Sequence, residues 1–333
     1  MSPPVILYRY DASPYSHKVD HALILKGIDH SQVNVSTVLP RPEITDLLGI
    51  TYRRIPILAI GNDVYCDTSL IVSALERRFP PSAGYATLLP PKKQGGSSDT
   101  GLIKAFSKYY VDQLFTLAPM LLPWDKIPAS FVKDRSAFFG APLDVNAIKA
   151  SRPHTMSKLA SHFALVEEQL SDDREWLFNT ELPSLADISV NFLLAWAAKF
   201  PEVESLYDAR EIPKTLKWLS RMSAHLEDKA HNQPSPRKLG GEEAAQLITS
   251  SPHESLSIVS FITTEADRLQ LRQGDEVKIA PEDTARNFPT IGKLVALNRE
   301  EVIIQVQGQK GVIHAHFPRL GFTIQPTGGK HRL

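Results

Sequence analysis

The sequence predicts a chain in three regions: an α/β unit first, an all-helical unit in the middle, and a small all-β, barrel-like unit at the end. Three observations carry this. Strand-like and helix-like runs alternate before residue 90. From Leu102 to about Glu227 apolar residues recur three and four apart, with no two-residue alternation. After Ser250 short β-type runs follow one another between turn residues. A chain of 333 residues also exceeds what one hydrophobic core usually holds. The expected units are 1–90, 101–230 and 250–330, separated by the polar stretches PKKQGGSSDTG and HNQPSPRK.

In the first unit, VILYRY (5–10) follows two prolines and favours a strand. SHKVDHALILKGI (16–28) places Val19, Ala22, Leu23 and the stem of Lys26 on a helical stripe that ends at Gly27. HSQVNVSTV alternates like a strand and EITDLLGI is a short helix. IPILAI and DVYCD are strands across a GND turn, and TSLIVSALERRF is a helix stopped by Pro80 and Pro81. The order βαβαββα is that of small thioredoxin-like domains. Helices are expected in IKAFSKYYVDQLFTLAPMLL, HTMSKLASHFALVEEQLSD, SLADISVNFLLAWAAKF and PKTLKWLSRMSAHLED. In the last unit SLSIVSFI, DEVKIAP, IGKLVALN, EEVIIQVQ, KGVIHAHF and GFTIQP read as strands of a small barrel or sandwich.

Composition narrows function. Lys+Arg and Asp+Glu are 37 each, so net charge gives no reason to expect nucleic acid or an anionic membrane as partner. The single cysteine, Cys66, excludes disulfide frameworks and cysteine zinc clusters and suits a reducing compartment. It reads as a small buried strand residue. No uninterrupted apolar run is long enough to span a bilayer, so a soluble cytoplasmic protein is expected. His314 and His316 share a strand face, but no carboxylate or cysteine spacing supports them, and no metal is expected.

The stretch SPYSHKV (13–19) points to chemistry. Serine before proline is a helix N-cap, with Pro14 at the first helical position. The Ser13 oxygen accepts from an amide near Ser16, so its hydroxyl proton stays free at the helix's positive end. That combination suits a bound anion, a thiolate in particular. Ser16 is the runner-up donor, with an exposed first-turn position as its ordinary role. Asp67-Thr68, between strand and helix, reads as an N-cap whose free amides also suit a carboxylate.

SPYSHKV resembles the S-P-F-x-x-R-V opening of the serine-type cytosolic glutathione transferases. YRRIPIL resembles K-K-I-P-V-L of the plant tau class, and CDTSLIVSALE the E-S-x-x-I-x-x-Y-L-E segment. WLFNTELPSLADISV resembles y-L-x-G-x-x-P-S-L-A-D-I of the helical domain. Together they cover residues 5–228, with omega-like and fungal members nearest in detail; the β-rich end lies outside the common architecture. The resemblance implies a thioredoxin-like glutathione-binding domain and an all-α transferase domain, with glutathione as cosubstrate or cofactor.

Site roles follow from it residue by residue. Ser13 would stabilise the thiolate. Ile55 would pair its backbone with the cysteinyl unit beside a cis Pro56. Thr68 would hold the γ-glutamyl carboxylate while Asp67 faces the amine. The family usually has Glu or Gln at that place, so the shorter Asp67 acts directly or through water. Arg54, and secondarily Arg41, would hold the glycyl carboxylate. Tyr15, Phe106 and Tyr110 would line the second-substrate pocket. Ser184 and Asp187 form a capping box that serves folding. A free thiol titrates near ~8.5, and lowering that by ~2 units takes ~2.7 kcal/mol. A helix terminus gives ~0.3–1 kcal/mol and a hydrogen bond to a charged group ~1.5–3, so the hydroxyl supplies the larger share. The implied activity is addition of the thiolate to a small electrophilic organic substrate, or glutathione-dependent double-bond isomerisation, in a homodimer. The alternative is a non-catalytic binding or regulatory module acting through the β-rich end.

Overall fold

The computed structural model describes residues 3–328. Val5–Arg9 (β1), Pro14–Lys26 (α1), Ser31–Asn34 (β2), Pro42–Thr45 (α2), Ile57–Ile60 (β3), Asp63–Cys66 (β4) and Thr68–Arg78 (α3) build the thioredoxin-like domain. β1 pairs parallel with β2 and antiparallel with β3, and β4 closes a hairpin on β3. α1 stops where Gly27, at φ 68, takes the left-handed conformation that glycine tolerates without steric cost.

Thr100–Leu117 (α4), Ala129–Phe139 (α5), Val145–Gln169 (α6), Leu185–Ala197 (α7) and Pro213–His231 (α8) form the helical region. α5 escapes sequence reading because it buries none of its residues, so it carries no apolar stripe. α7 begins at the Ser184–Asp187 capping box. The Asp187 carboxylate does more than cap. Fully buried, it accepts from Ser184 N and Oγ (both 2.8 Å), Leu177 N (2.9 Å) and Trp218 Nε1 (3.0 Å). Burial raises its pKa against those bonds.

The remaining elements are Arg237–Lys238 (β5), Gly241–Thr249 (α9), Leu256–Val259 (α10), Thr263–Arg268 (α11), Glu276–Pro281 (β6), Thr290–Leu297 (β7), Glu301–Gly308 (β8), Gly311–Pro318 (β9) and Phe322–Pro326 (β10). The C-terminal region is strand-rich as expected, although SLSIVSFI makes α10 and a single bridge, Phe261 to Leu297, instead of a strand. The second polar stretch is not wholly a linker, since β5 pairs parallel with β2.

The C-terminal strands do not close on themselves. Among the described residues one sheet of ten strands runs β10-β6-β7-β8-β9-β4-β3-β1-β2-β5. β9 lies parallel to β4, with Asp63 opposite His314 and Tyr65 opposite His316. Alternation within a run shows that a strand exists; it is silent on which edge the strand will find. One face of this sheet buries Ile6, Tyr8, Ile57, Val64 and Cys66 with Leu48, Ile248, Val302, Ile304 and Phe317 in one core. Gly308 sits so close to the Leu47 and Leu48 backbone that a Cβ there would collide with it.

Charges fill the seam. His316, fully buried, places Nε2 3.1 Å from Asp63 and Nδ1 2.9 Å from Glu301. Both ring nitrogens face carboxylate oxygens, so both donate and the ring is an imidazolium. Arg78 reaches Asp63 at 2.9 Å, and Arg77 reaches Glu301 at 2.7 Å and Glu254 at 3.0 Å. Burial alone would lower the His316 pKa; its bonds to Asp63 and Glu301 overcome this and raise it. Against burial, hydrogen bonds from His314 and His316 hold the Asp63 carboxyl below the usual range, and His316 and Arg77 do the same for Glu301.

Two outcomes are expected. Asp187→Ala should cost more than the ~0.5–2 kcal/mol of a lost cap, about 3 kcal/mol or more, because four buried donors lose their acceptor; urea unfolding measures it. The His316 contribution is complete below the ordinary imidazole pKa of ~6.5 and is lost as pH rises through its raised folded value. The Asp63 and Glu301 contributions are present above ~4 and are lost as pH falls through their depressed folded values. The Tm advantage of wild type over His316→Gln should therefore shrink as pH rises from about 6 to about 9.

Candidate functional site

α1 begins as the sequence implies. Ser13 is extended, its Oγ accepts from Ser16 N at 3.2 Å, and Pro14 opens the helix. Ser13 is 2% exposed, and among the described residues no protein acceptor takes its hydroxyl proton. The hydroxyl thus remains a donor at the helix's positive end. Ser16 departs from its exposed ordinary role: it is fully buried and its Oγ has no partner among the described residues.

α3 begins at Thr68. Asp67, at φ 77, caps it, and one carboxylate oxygen accepts from both Ser69 N (2.9 Å) and Ser69 Oγ (2.6 Å). The other oxygen has no such bond. Thr68 is 6% exposed, and its Oγ1 accepts from Lys18 Nζ at 3.2 Å. The starts of α1 and α3 therefore lie within one lysine's reach of each other.

Lys18 is the residue that motif reading missed. It is 3% exposed, lies 5.7 Å from the Phe192 ring centre, and forms no salt bridge among the described residues. Burial lowers its pKa to about 8, with Asp67 and Asp112 opposing. Its Nζ thus lies inside the protein with one neutral hydrogen-bond partner among the described residues. A signal for it existed: Lys18 stands four residues before Ala22 on the buried side of α1.

The Ile55–Pro56 bond is cis. Both residues are buried just before β3, and Ile55 lies beyond the register with β1, which ends at Ile57. The two arginines differ. Arg41 turns inward, giving Nε to Ser36 O (2.7 Å), Nη1 to Arg53 O (2.5 Å) and Nη2 to Thr37 O (3.2 Å). Buried and committed to backbone carbonyls, with burial lowering its pKa to about 10, it does not present its charge to a ligand as expected. Arg54 stays near the site but gives Nη2 to the Asp283 carboxylate and to Thr284 O (2.6 Å). Its Nε is buried without a partner among the described residues. Burial opposes its charge; Tyr52, Asp283 and Asp67 outweigh that and raise its pKa.

The aromatic candidates separate. Tyr15 packs on Phe115 (4.8 Å) and Phe192 (5.2 Å). Phe106 and Tyr110 pack on each other (4.5 Å), against Phe178 and His162. Phe106 stands nine residues before Phe115 on α4, a rise of about 13 Å, so its ring and that of Tyr15 pack on different turns of that helix. Cys66 is buried, and burial pushes its thiol pKa well above the ordinary value. His314 and His316 both turn to Asp63, and no metal-ligating cluster of three occurs among the described residues. Nor is any described helix long and apolar enough to cross a membrane.

Two elements roof this site. Arg53 joins α5 through Asp134 (2.7 Å) and lies over the Phe138 and Phe288 rings at 5.5 and 4.7 Å. The loop from Glu282 to Pro289, between β6 and β7, holds Arg54 and donates Ala285 N to Phe138 O at 2.7 Å.

Comparison with known proteins bears on the fold that carries these residues. Residues 7–83 match the family model for the glutathione S-transferase N-terminal domain, and residues 114–231 match a domain of unknown function (DUF7962). No curated protein matches the chain. A GST-like protein from Pseudomonas syringae is 27% identical, with a TM-score of 0.70 over 98% of this chain and 100% of that one. The likeness therefore runs through the strand-rich end as well. Rice GST1, solved in complex with glutathione, is 16% identical, with a TM-score of 0.48 over 74% of this chain and 96% of that one. These matches support a place in the GST-like superfamily, with a glutathione S-transferase N-terminal domain at residues 7–83.

Proposed function

We propose that the chain binds glutathione across the starts of α1 and α3 and activates its thiol through Ser13. The acceptor would be a small electrophilic molecule, either in transfer or in double-bond isomerisation. The observation that carries this reading is Lys18, a buried lysine with no salt bridge among the described residues, bonded to the residue that opens α3. A carboxylate received by the Thr68 amide would neutralise it, and the first helical amides have no internal carbonyl to bind. Glutathione supplies the thiol and the carboxylates. Ser13 donates a hydrogen bond to the thiolate sulfur while keeping its proton, and the α1 terminus favours the negative charge. Ile55 offers its backbone, and the unbonded Asp67 oxygen faces an amine. Tyr15, two residues past Ser13, joins Phe115 and Phe192 as the apolar side for the electrophile. Pairing of two chains belongs to this reading, but not through the outer edge of β4, which β9 occupies.

Thiolate absorbance of bound glutathione against pH tests it. In wild type the titration should lie ~2 units below the free thiol, and Ser13→Ala should move it back by at least ~1 unit. An unshifted wild-type titration would leave a binding protein without this chemistry. Lys18→Met should weaken glutathione binding about tenfold by calorimetry, without moving the residual thiol titration comparably.

A further inference from the structure

Where S-P-F-x-x-R-V carries phenylalanine, this chain carries Tyr15, and the difference is one hydroxyl. The ring does what a phenylalanine would: it packs on Phe115 from α4 at 4.8 Å and on Phe192 from α7 at 5.2 Å. The hydroxyl has no such task. Tyr15 is half-buried, and among the described residues its oxygen is neither hydrogen-bonded nor sealed from solvent. A polar group on an apolar wall is costly to cover unless whatever covers it brings an acceptor.

The surroundings give that hydroxyl a direction. The charges that bear on it are Asp67 at the start of α3, Arg54 before the cis Pro56, Asp112 on α4 and Asp283 on the β6–β7 loop. It therefore faces the space that these elements enclose. The Phe192 ring beneath Tyr15 also carries Lys18, 5.7 Å from its centre, and Lys18 bonds Thr68. Burial, then Asp67, pushes the phenol pKa well above its ordinary value against Arg54, so the group is a donor at neutral pH. The nearby carboxylates have partners of their own: Arg54 for Asp283, Lys108 for Asp112 and Ser69 for Asp67.

We propose that Tyr15 is a catalytic residue, and that the electrophile is a conjugated carbonyl compound whose oxygen its hydroxyl receives. This rests on the glutathione reading above and narrows the acceptor. The thiolate forms a C–S bond at the β-carbon, the alkene electron pair shifts toward the carbonyl, and the oxygen becomes an enolate. Tyr15 donates a hydrogen bond to that oxygen and keeps its proton, holding charge that exists only once the sulfur has attacked. In transfer, water protonates the α-carbon, and the hydroxide left takes up the proton that the thiol released. In isomerisation the enolate rotates about the former double bond, the electron pair returns and the thiolate leaves. Ser13 serves the sulfur and Tyr15 the oxygen, so neither hydroxyl is asked to do both.

Kinetics of the full chain with glutathione and two electrophiles decide it. Benzylideneacetone has a conjugated carbonyl oxygen that gains charge; benzyl chloride has no oxygen. Wild type should turn over the ketone. Tyr15→Phe should lower kcat/KM for the ketone about 100-fold, the cost of one lost oxyanion donor, and the ketone-to-chloride ratio by at least ~10-fold. Phenylalanine keeps the ring on Phe115 and Phe192, and thiolate absorbance of bound glutathione, which reads Ser13, checks that the variant is folded. The proposal is overturned if wild type acts on the chloride but not on the ketone. It is overturned equally if both proteins give the same ratio, which would leave Tyr15 a wall of the pocket. If wild type binds no glutathione or leaves its thiol unshifted, the glutathione reading itself falls and takes this one with it.

Discussion

Without a partner, β4 would end the thioredoxin-like sheet with unpaired backbone groups, next to Asp63, which is buried in the folded chain. Both are costly: an open edge invites pairing with other chains, and a buried carboxylate needs donors. β9 meets both needs at once. Its backbone pairs with β4, and it delivers His316 between Asp63 and Glu301. Buried ion networks are weak sources of net stability, because desolvation offsets most of the attraction. Their value here is orientation. A one-residue slip of β9 would turn His316 to the opposite face and take from Asp63 and Glu301 the donor they share, leaving each with its arginine alone among side chains of the α3 end, so the charges hold the register that the apolar residues share.

From that seam the surroundings of the site follow. Because β6 to β9 continue the sheet, the loop between β6 and β7 is carried to Arg53 and Arg54, where it meets α5. Three parts of the chain thus converge on two adjacent arginines. The starts of α1 and α3, by contrast, are made within the N-terminal domain and α7. The candidate thiol subsite is local in origin, while its roof is long-range.

That division explains what was legible. Ser13, Pro14, Gly27 and the Ser184 cap are short-range features, and the structure has them where capping chemistry puts them. The thioredoxin-like order and the strand-rich end were readable from periodicity. What was hidden depended on partners far along the chain. Arg41 looks like any surface arginine until its three backbone acceptors are known. Asp187 reads as a cap, and nothing local announces Trp218 as a fourth donor. The separation of Tyr15 from Phe106 depends on which turn of α4 faces α1. Lys18 was visible in principle, as a charge on a buried stripe, but snorkelling lysines are common enough to mask it.

The order in which the chain is made gives the fused sheet a temporal side. The strand carrying Asp63 leaves the ribosome well before the strand carrying His314 and His316, since 253 positions separate Asp63 from His316. Contacts of such sequence separation are slow to close, and domains otherwise tend to mature in order of synthesis. The nascent α/β domain therefore waits, the outer edge of β4 uncovered, until the strand-rich region has been made. An interrupted product would carry a plausible first domain with a sticky border, a natural substrate for chaperones and proteases.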